Sequence, residues 1–295
     1  MSDGASIRLA TRGSAQARSQ ARAVADALVA ATGRPAELVI VETTGDRRQD
    51  VPLHVIGGQG VFVKEVQQAV LDGRADVAVH SAKDLPSVSP ETLTIGAFLA
   101  RRDAADALVG RSLAELGPGA PVATGSVRRR AQLGATRPDL TFHELRGNIL
   151  TRLDKVPDGG AIVMAVAALA ILGRSERIAE RLPVESFVPA VGQGCVAVEA
   201  RTDDQATAEL LAVVDDAATR HAVEVERSFL AELGSGCSLP VGGHVTGAQL
   251  HVFLAATDAP GALVVRDVVE LGLDAGDHDL AREAAVAARR AVGWR

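Results

Sequence analysis

Short apolar segments alternate with longer alanine-rich amphipathic segments along most of this chain. A segment at 7–11 that reads as a strand, for example, is broken by Arg12-Gly13-Ser14 and followed by a helical pattern at 15–31. Apolar runs of this length fit buried strands, and the longer segments have the apolar spacing of helices that pack on a sheet. The alternation predicts an α/β fold with open sheets.

The length of the chain and a change of pattern after residue 216 predict three domains. A chain of 295 residues exceeds what one hydrophobic core usually organises. We expect a first α/β domain formed by 1–100 together with 191–216, and a second α/β domain formed by 101–190. The remainder, 217–295, reads as a helix, a glycine-rich turn, three strands and a final helix, which predicts a smaller α+β domain.

Composition narrows the classes of function. The chain has 31 Lys and Arg against 37 Asp and Glu, a formal net charge of −6 and a pI near 5.7, so a general nucleic-acid-binding surface is not expected. Aromatic residues make up 2% of the chain, which disfavours base stacking. The two cysteines match no disulfide framework and no zinc spacing, and no apolar run reaches the roughly 18 residues of a membrane span. We expect a soluble cytoplasmic protein with no metal, nucleic-acid or membrane partner.

Hydroxyl and cationic side chains follow three predicted strands, at 11–14, 80–84 and 124–130. Ligands of open α/β sheets bind at the carboxyl ends of the strands, where helix N-termini also present free N–H groups to anions. We therefore expect the three segments to meet in one cleft. With Arg146 and Arg152 the cleft would contain at least six cationic side chains, which favours a small-molecule ligand with several carboxylates or phosphates.

Each of these residues also has an ordinary structural interpretation. A serine or threonine before a helix is a common N-cap, and an arginine on a helix is usually solvated. Asp84 either caps the turn before Pro86 or acts as an acid among cations, suited to stabilise a developing positive charge or to move a proton. His80 fits a buried structural histidine better than a catalytic one. Cys237 lies in a glycine-rich turn and is either a covalent site or an inert surface thiol, whereas Cys195 reads as a buried strand cysteine.

Motifs of moderate specificity recur in a fixed order over nearly the whole chain. They are TRGS at 11–14, GGQGVFVKE at 57–65, HSAKDLP at 80–86, TGSVRR at 124–129, LRGN at 145–148, TRL at 151–153, PAVGQG at 189–194, ER at 226–227 and GCSLP at 236–240. This ordered set resembles the hydroxymethylbilane synthase family, also called porphobilinogen deaminases. The family pattern often has Lys where this chain has Gln59 and Arg where it has Ile171.

The resemblance implies two α/β domains similar to periplasmic binding proteins, with a central cleft, and a third domain with a loop cysteine. It implies a dipyrromethane cofactor attached through a thioether to Cys237. The activity it implies is a transferase of haem biosynthesis that adds four porphobilinogen molecules head to tail, releases ammonia at each step and finally releases hydroxymethylbilane. We expect a monomer.

The resemblance also implies a role for each site residue. Asp84 matches the catalytic aspartate. The side chains that match cofactor-binding positions are Ser81, Lys83, Thr124, Ser126, Arg128 and Arg129. The side chains that match substrate-binding positions are Arg12, Ser14, Arg146 and Arg152.

Two alternatives come from other classes. A non-catalytic or weakened protein that binds a polycarboxylate in the same cleft stays open, because Gln59 and Ile171 replace cations of the family pattern. A kinase or ligase is disfavoured because no P-loop glycine motif appears. The polar segment 43–60 is long for an ordinary connection and predicts a functional loop.

Overall fold

A computed structural model describes residues 6–43, 45, 62–234 and 239–294 of the chain. The described residues form two five-stranded mixed sheets and one three-stranded antiparallel sheet. Cys237, Gln59 and most of the predicted functional loop at 43–60 lie outside the described residues.

The first sheet combines strands from the beginning of the chain with one strand that returns much later. Its strands are β1 (Ile7–Arg12), β2 (Ala36–Val41), β3 (Val77–Ser81), β4 (Leu93–Phe98) and β10 (Val196–Arg201), in the order β2-β1-β3-β10-β4. β1 pairs in parallel with β2 and β3, whereas β10 is antiparallel to β3 and β4. The helices beside this sheet are α1 (Ala15–Thr32), α2 (Lys64–Leu71) and α6 (Gln205–Ala212).

Local signals explain why α1 begins and ends where it does. The Ser14 hydroxyl accepts a hydrogen bond from the backbone N–H of Ala17 at 3.2 Å, and Gly33 ends the helix with a φ of 70°. Glycine tolerates this left-handed conformation because it has no Cβ. Between these ends, Val24 and Leu28 are fully buried against the first sheet. The predicted strand–turn–helix at the beginning of the chain is confirmed.

The second sheet is formed by the part of the chain between β4 and β10, after the chain leaves the first sheet and before it returns to it. Its strands are β5 (Asp106–Gly110), β6 (Pro121–Ala123), β7 (Thr141–His143), β8 (Ala161–Ala165) and β9 (Ile178–Arg181), in the order β7-β6-β8-β5-β9. β6 is parallel to β7 and β8, and β5 is antiparallel to β8 and β9. Its helices are α3 (Val127–Thr136), α4 (Ile149–Leu153) and α5 (Val166–Ile171).

The third sheet consists of β11 (Val241–Thr246), β12 (Gln249–Ala255) and β13 (Val264–Glu270). The helices α7 (Ala217–Glu232) and α8 (Asp277–Ala291) cover one face, where Phe229 and Leu250 are fully buried. On the other face Phe253 packs against Ala131 and Val188, which belong to the region of the second sheet. The predicted α/β fold class with a smaller α+β C-terminal region is confirmed.

Four elements have no counterpart in the sequence-based prediction, namely β5, β9, α4 and α6. They are short, between four and eight residues, so their apolar periodicity is hard to recognise. Residues 161–168 are all apolar in the sequence, and they form a strand followed directly by a helix, with the change at Ala165. None of the helices in the described ranges combines the length and the apolar character that crossing a membrane requires.

Candidate active site

A cavity of about 650 Å³ lies between the first two sheets. Among the side chains predicted for the site, those that line it are Arg12, Ser14, Lys83, Asp84, Thr124, Ser126, Arg128, Arg129, Arg146 and Arg152. Ser81 ends β3 and is not among the lining residues, although Lys83 and Asp84 follow it directly. The structure therefore brings ten of the twelve predicted side chains together. The other two are Ser81 and Cys237, and Cys237 lies outside the described residues.

The direction of the strands explains this gathering. β1 and β3 run in parallel, so Arg12 at the end of β1 and the turn after β3 lie at one edge of the first sheet. β6 and β8 are parallel as well, and Thr124 follows β6 at the facing edge of the second sheet. Ligand sites of open α/β sheets form at such carboxyl ends.

The two serines of the cleft are helix N-caps. Ser14 caps α1, and the Ser126 hydroxyl accepts from the backbone N–H of Arg129 at 3.4 Å at the start of α3. Capping uses a lone pair of the oxygen and leaves the O–H free to donate. Each serine can therefore cap its helix and also donate to an anion in the cleft.

Asp106 pairs with two arginines of the site and is absent from the sequence-based prediction. Its carboxylate is fully buried and accepts from Arg128 Nη2 at 2.7 Å, Arg129 Nη2 at 2.6 Å and Gln193 Nε2 at 2.9 Å. Burial by itself would raise the pKa of Asp106, but the charges of the two arginines outweigh it and shift the pKa well below its usual range. A lone acid directly before the apolar run at 107–109 was the available signal.

Lys83 lies beside this cluster and donates from Nζ to Gln193 Oε1 at 3.2 Å. Burial, followed by the charge of Arg129, lowers the pKa of Lys83 to about 8. The ammonium form therefore costs more here than on the surface. A carboxylate ligand would offset that cost, because an opposite charge favours the ionised amine.

Arg152 and Arg12 occupy opposite walls of the cleft. Burial and the neighbouring charges of Arg129 and Arg146 lower the pKa of Arg152 to about 10, and its Nε donates to the carbonyl of Gly147 at 2.7 Å. The Arg12 guanidinium lies 4.0 Å from the ring centroid of Phe62, a cation–π contact that restricts its position. Both cations are thus placed before any ligand arrives.

Asp84 ends a short 3-10 turn and lines the same cavity. Its charge acts on Lys83 and Arg152, which places it among the cations. Within the described part of the chain no salt bridge engages its carboxylate. A carboxylate in this position can face a cationic or N–H-bearing ligand group.

The junction of the three sheets lies next to the cleft and is built around Glu226 on α7. This buried carboxylate pairs with Arg101 at 2.5 Å and accepts from the backbone N–H groups of Gly192 and Val245, each at 2.8 Å. Arg101 and Gly192 belong to the two segments that cross between the first and second sheets. One side chain therefore ties both crossings to the third sheet.

Three further residues lie away from the chemistry of the cleft. His80 is buried with Nε2 at 3.1 Å from Glu199, as its structural interpretation predicts. Burial raises the pKa of the Cys195 thiol to about 12, so its reactive thiolate is suppressed. Ile171 lines a separate, largely apolar groove of about 550 Å³ between α1 and α5, so it removes no cation from the wall of the main cavity.

Two solved structures each match about 70% of this chain at low sequence identity. The BvgS VFT2 domain of Bordetella pertussis has a TM-score of 0.43 and 17% identity, covering 71% of this chain and 86% of that one. The methionine-binding protein MetQ has a TM-score of 0.44 and 14% identity, covering 72% of this chain and 91% of that one.

Relatives at much higher identity are porphobilinogen deaminases. The protein of Acidothermus cellulolyticus is 48% identical over 88% of this chain and 82% of its own length. That of Nitratidesulfovibrio vulgaris is 43% identical over 93% of this chain and 89% of its own length. The family model described as porphobilinogen deaminase, dipyrromethane cofactor binding domain, matches residues 7–209. The chain therefore belongs to the porphobilinogen deaminase family, the transferases that condense porphobilinogen in tetrapyrrole biosynthesis.

Proposed function

We propose that this chain joins four porphobilinogen molecules head to tail, onto a dipyrromethane primer held in the cleft, and then releases hydroxymethylbilane. Six cationic side chains of the described residues line that cleft around Asp84 and support the proposal above all; they are Arg12, Lys83, Arg128, Arg129, Arg146 and Arg152. Each pyrrole unit has an acetate and a propionate, so a growing chain of pyrroles requires many cations at fixed positions.

The donors of the inner cleft fit the carboxylates of a dipyrromethane. A guanidinium has five N–H donors, and Arg129 uses three of its nitrogens on Asp106 and the carbonyl of Val163, which leaves N–H groups for a ligand. We assign the binding of the cofactor carboxylates to five lining residues, Lys83, Thr124, Ser126, Arg128 and Arg129, and to Ser81, which ends β3 two residues before Lys83. When bound, the cofactor supplies the pyrrole carbon to which the first substrate is joined.

Cys237 is the attachment point in this proposal. Leu230 and Leu239, on either side of the segment that contains it, both line the cleft. Cys195, the other cysteine, is 1% exposed with a raised pKa and is a poor nucleophile.

Intact-mass spectrometry tests the attachment. Purified chain should weigh more than its sequence by one dipyrrole, and Cys237→Ser should remove that excess because no thioether can form. Cys195→Ser is the matched control and should keep the excess. An active preparation with the bare-chain mass, or an excess that survives Cys237→Ser, would refute the attachment.

Asp84 acts at the reacting atoms in this proposal. During each addition the aminomethyl C–N bond breaks with its electron pair leaving on ammonia, a C–C bond forms, and the attacked ring carbon gives up a proton. The Asp84 carboxylate stabilises the positive charge and accepts hydrogen bonds from pyrrole N–H groups. Arg12, Ser14, Arg146 and Arg152 orient the incoming substrate through its carboxylates.

Substitution of Asp84 tests this role. Asp84→Asn keeps the shape but removes the charge, so we expect kcat to fall by roughly 10²-fold or more, as for other groups that stabilise transition-state charge. Asp72→Asn, on the exposed surface after α2, should leave kcat unchanged. Normal turnover by Asp84→Asn, at unchanged cofactor mass, contradicts the role.

The non-catalytic alternative predicts a different outcome with the same reagent. Incubation with porphobilinogen should consume it and release one ammonia per molecule if the chain is an enzyme. Binding without consumption supports a cleft protein that only binds a polycarboxylate.

We further propose that the chain acts as a cytoplasmic monomer with three domains, divided at 1–100 with 191–216, 101–190 and 217–295. The three separate sheets support the division, and the net charge of −6 supports the absence of a nucleic-acid partner. Light scattering on purified chain should give a mass near 30.4 kDa.

A further inference from the structure

Gln193 lies where the chain returns from the second sheet to the first, and its side chain is buried with 1% exposure. Its Oε1 accepts from Lys83 Nζ at 3.2 Å, and its Nε2 donates to the carbonyl of Ala104 at 2.7 Å and to Asp106 Oδ1 at 2.9 Å. One amide therefore contacts the turn after β3, the segment that leads from β4 in the first sheet to β5 in the second, and the start of β5.

The chemistry of the two charged neighbours determines which side chain can stand between them. An ammonium only donates hydrogen bonds, and an ionised carboxylate only accepts them. The side chain that links Lys83 to Asp106 must accept at one end and donate at the other. A primary amide does both without adding charge, whereas a carboxylate would repel Asp106 and an apolar side chain would satisfy neither group.

We propose that Gln193 is a positioning residue that fixes Lys83 against the cluster of Asp106, Arg128 and Arg129, so that the carboxylate-binding groups on both sides of the cleft form one site. This inference rests on the proposed function, in which Lys83 and the two arginines bind the cofactor carboxylates. Gln193 itself does not act on the reacting atoms. Because it bridges the crossing segments, it makes the position of Lys83 depend on how the first two sheets are arranged.

The charges around Lys83 explain why it needs such a partner. Arg128 and Arg129 repel its ammonium, while Asp84 and Asp106 attract it. Burial disfavours the charged form most, the repulsion adds to it, and together they lower the pKa of Lys83 to about 8. The Gln193 carbonyl oxygen is the neutral acceptor that favours the charged form at a defined place.

The titration of Lys83 in chain without cofactor is the direct test. In the Cys237→Ser background, whose mass is checked first, the rate of acetylation of Lys83 by acetic anhydride is followed against pH by peptide mass spectrometry. Gln193→Leu removes the acceptor and should lower the midpoint by roughly one pH unit. Gln193→Glu places a negative oxygen near Nζ and should raise it by roughly one unit or more.

Gln67→Leu is the matched control. Gln67 is also a buried glutamine that donates to a buried carboxylate, Glu199, at 2.9 Å, but its amide forms no hydrogen bond with Lys83. Its substitution should leave the Lys83 midpoint where it is in the parent. Equal midpoints in the parent, Gln193→Leu and Gln193→Glu would overturn the proposal, and if Gln193→Leu does not fold, Gln193→Glu alone decides.

Cofactor loading gives a second readout in chain that retains Cys237. The fraction of molecules with the extra dipyrrole mass should fall severalfold in Gln193→Leu and stay at the parental level in Gln67→Leu. Equal loading of these two variants contradicts the proposal. An excess mass that persists in Cys237→Ser instead refutes the attachment site, so the two failures are distinguishable.

Discussion

At the scale of single residues, Asp106 decides what the two neighbouring arginines can do. Arg128 and Arg129 are 4% and 7% exposed, and Asp106 accepts hydrogen bonds from both. Without this carboxylate two adjacent guanidinium groups would be buried with their charges uncompensated. The carboxylate also fixes the direction of both side chains, so their remaining N–H groups point to defined places in the cleft wall.

Asp106→Asn is expected to lower the free energy of unfolding by about 3–5 kcal/mol, because it leaves buried guanidinium charges unpaired. Urea unfolding at pH 7 measures the loss. Asp139→Asn removes the acid of an exposed pair with Arg137 and should hardly move the midpoint. Equal midpoints for the two variants would show that the buried cluster does not stabilise the fold.

At the scale of elements, α7 connects the third sheet to the crossings between the other two. Asp216 caps its N-terminus by accepting from the backbone N–H of Thr219 at 2.8 Å. In its second half, Glu226 pairs with Arg101 and accepts hydrogen bonds from the backbone N–H groups of Gly192 and Val245. The helix leads directly into the segment that contains Cys237, so its position sets where that segment starts.

Glu226→Gln should lower the free energy of unfolding by about 3 kcal/mol. The amide NH2 group would face N–H donors that now donate to the carboxylate, and Arg101 would lose its counter-charge. Glu224→Gln, two residues earlier on α7 in a half-exposed pair with Arg220, should cost less than about 1 kcal/mol. Thermal unfolding compares them. A loss as small for Glu226 as for Glu224 would contradict the assigned role.

At the scale of the whole molecule, two buried carboxylates join the sheets. Asp106 is the first residue of β5 in the second sheet, Glu226 lies on α7 beside the third sheet, and both pair with arginines. Burial would raise the pKa of Glu226, but Arg101 and His244 outweigh it and lower the pKa to about 2. The arrangement of the sheets around the cleft therefore depends on carboxylates that must stay ionised.

The consequence is a fold that loses stability in acid. A carboxyl group whose pKa is lower in the folded chain contributes stability that is complete above its unfolded pKa, 4.5 for Glu226, and is lost as the pH falls towards 2. Protonation of Glu226 alone should remove ~3 kcal/mol over that range. Urea midpoints at pH 6, 5, 4 and 3 should fall steeply below pH 4.5, and in Glu226→Gln the fall should be shallower. A flat profile from pH 5 to 3 is incompatible with this account.

Part of the site could be predicted from the sequence because several of its residues follow parallel strands. Arg12, Asp84 and Thr124 follow strands whose apolar runs are visible in the sequence, and in parallel sheets the ends of such strands meet at one edge. The beginning and end of α1 could also be predicted from the sequence, because Ser14 is a typical N-cap residue and Gly33 a typical residue at the end of a helix.

By itself, the sequence determined the alternation of strands and helices and the polar residues at the ends of β1, β3 and β6. Only the tertiary structure decided that Asp106 and Gln193 belong to the site. β5 and β10 run antiparallel to their neighbours, with Asp106 opposite Ala165 and Val196 opposite Ser81. Asp106 therefore lies at the beginning of β5 and Gln193 lies just before β10, whereas the sequence predicts site residues only at the ends of strands. Strand direction results from pairing between distant segments, and no local pattern encodes it.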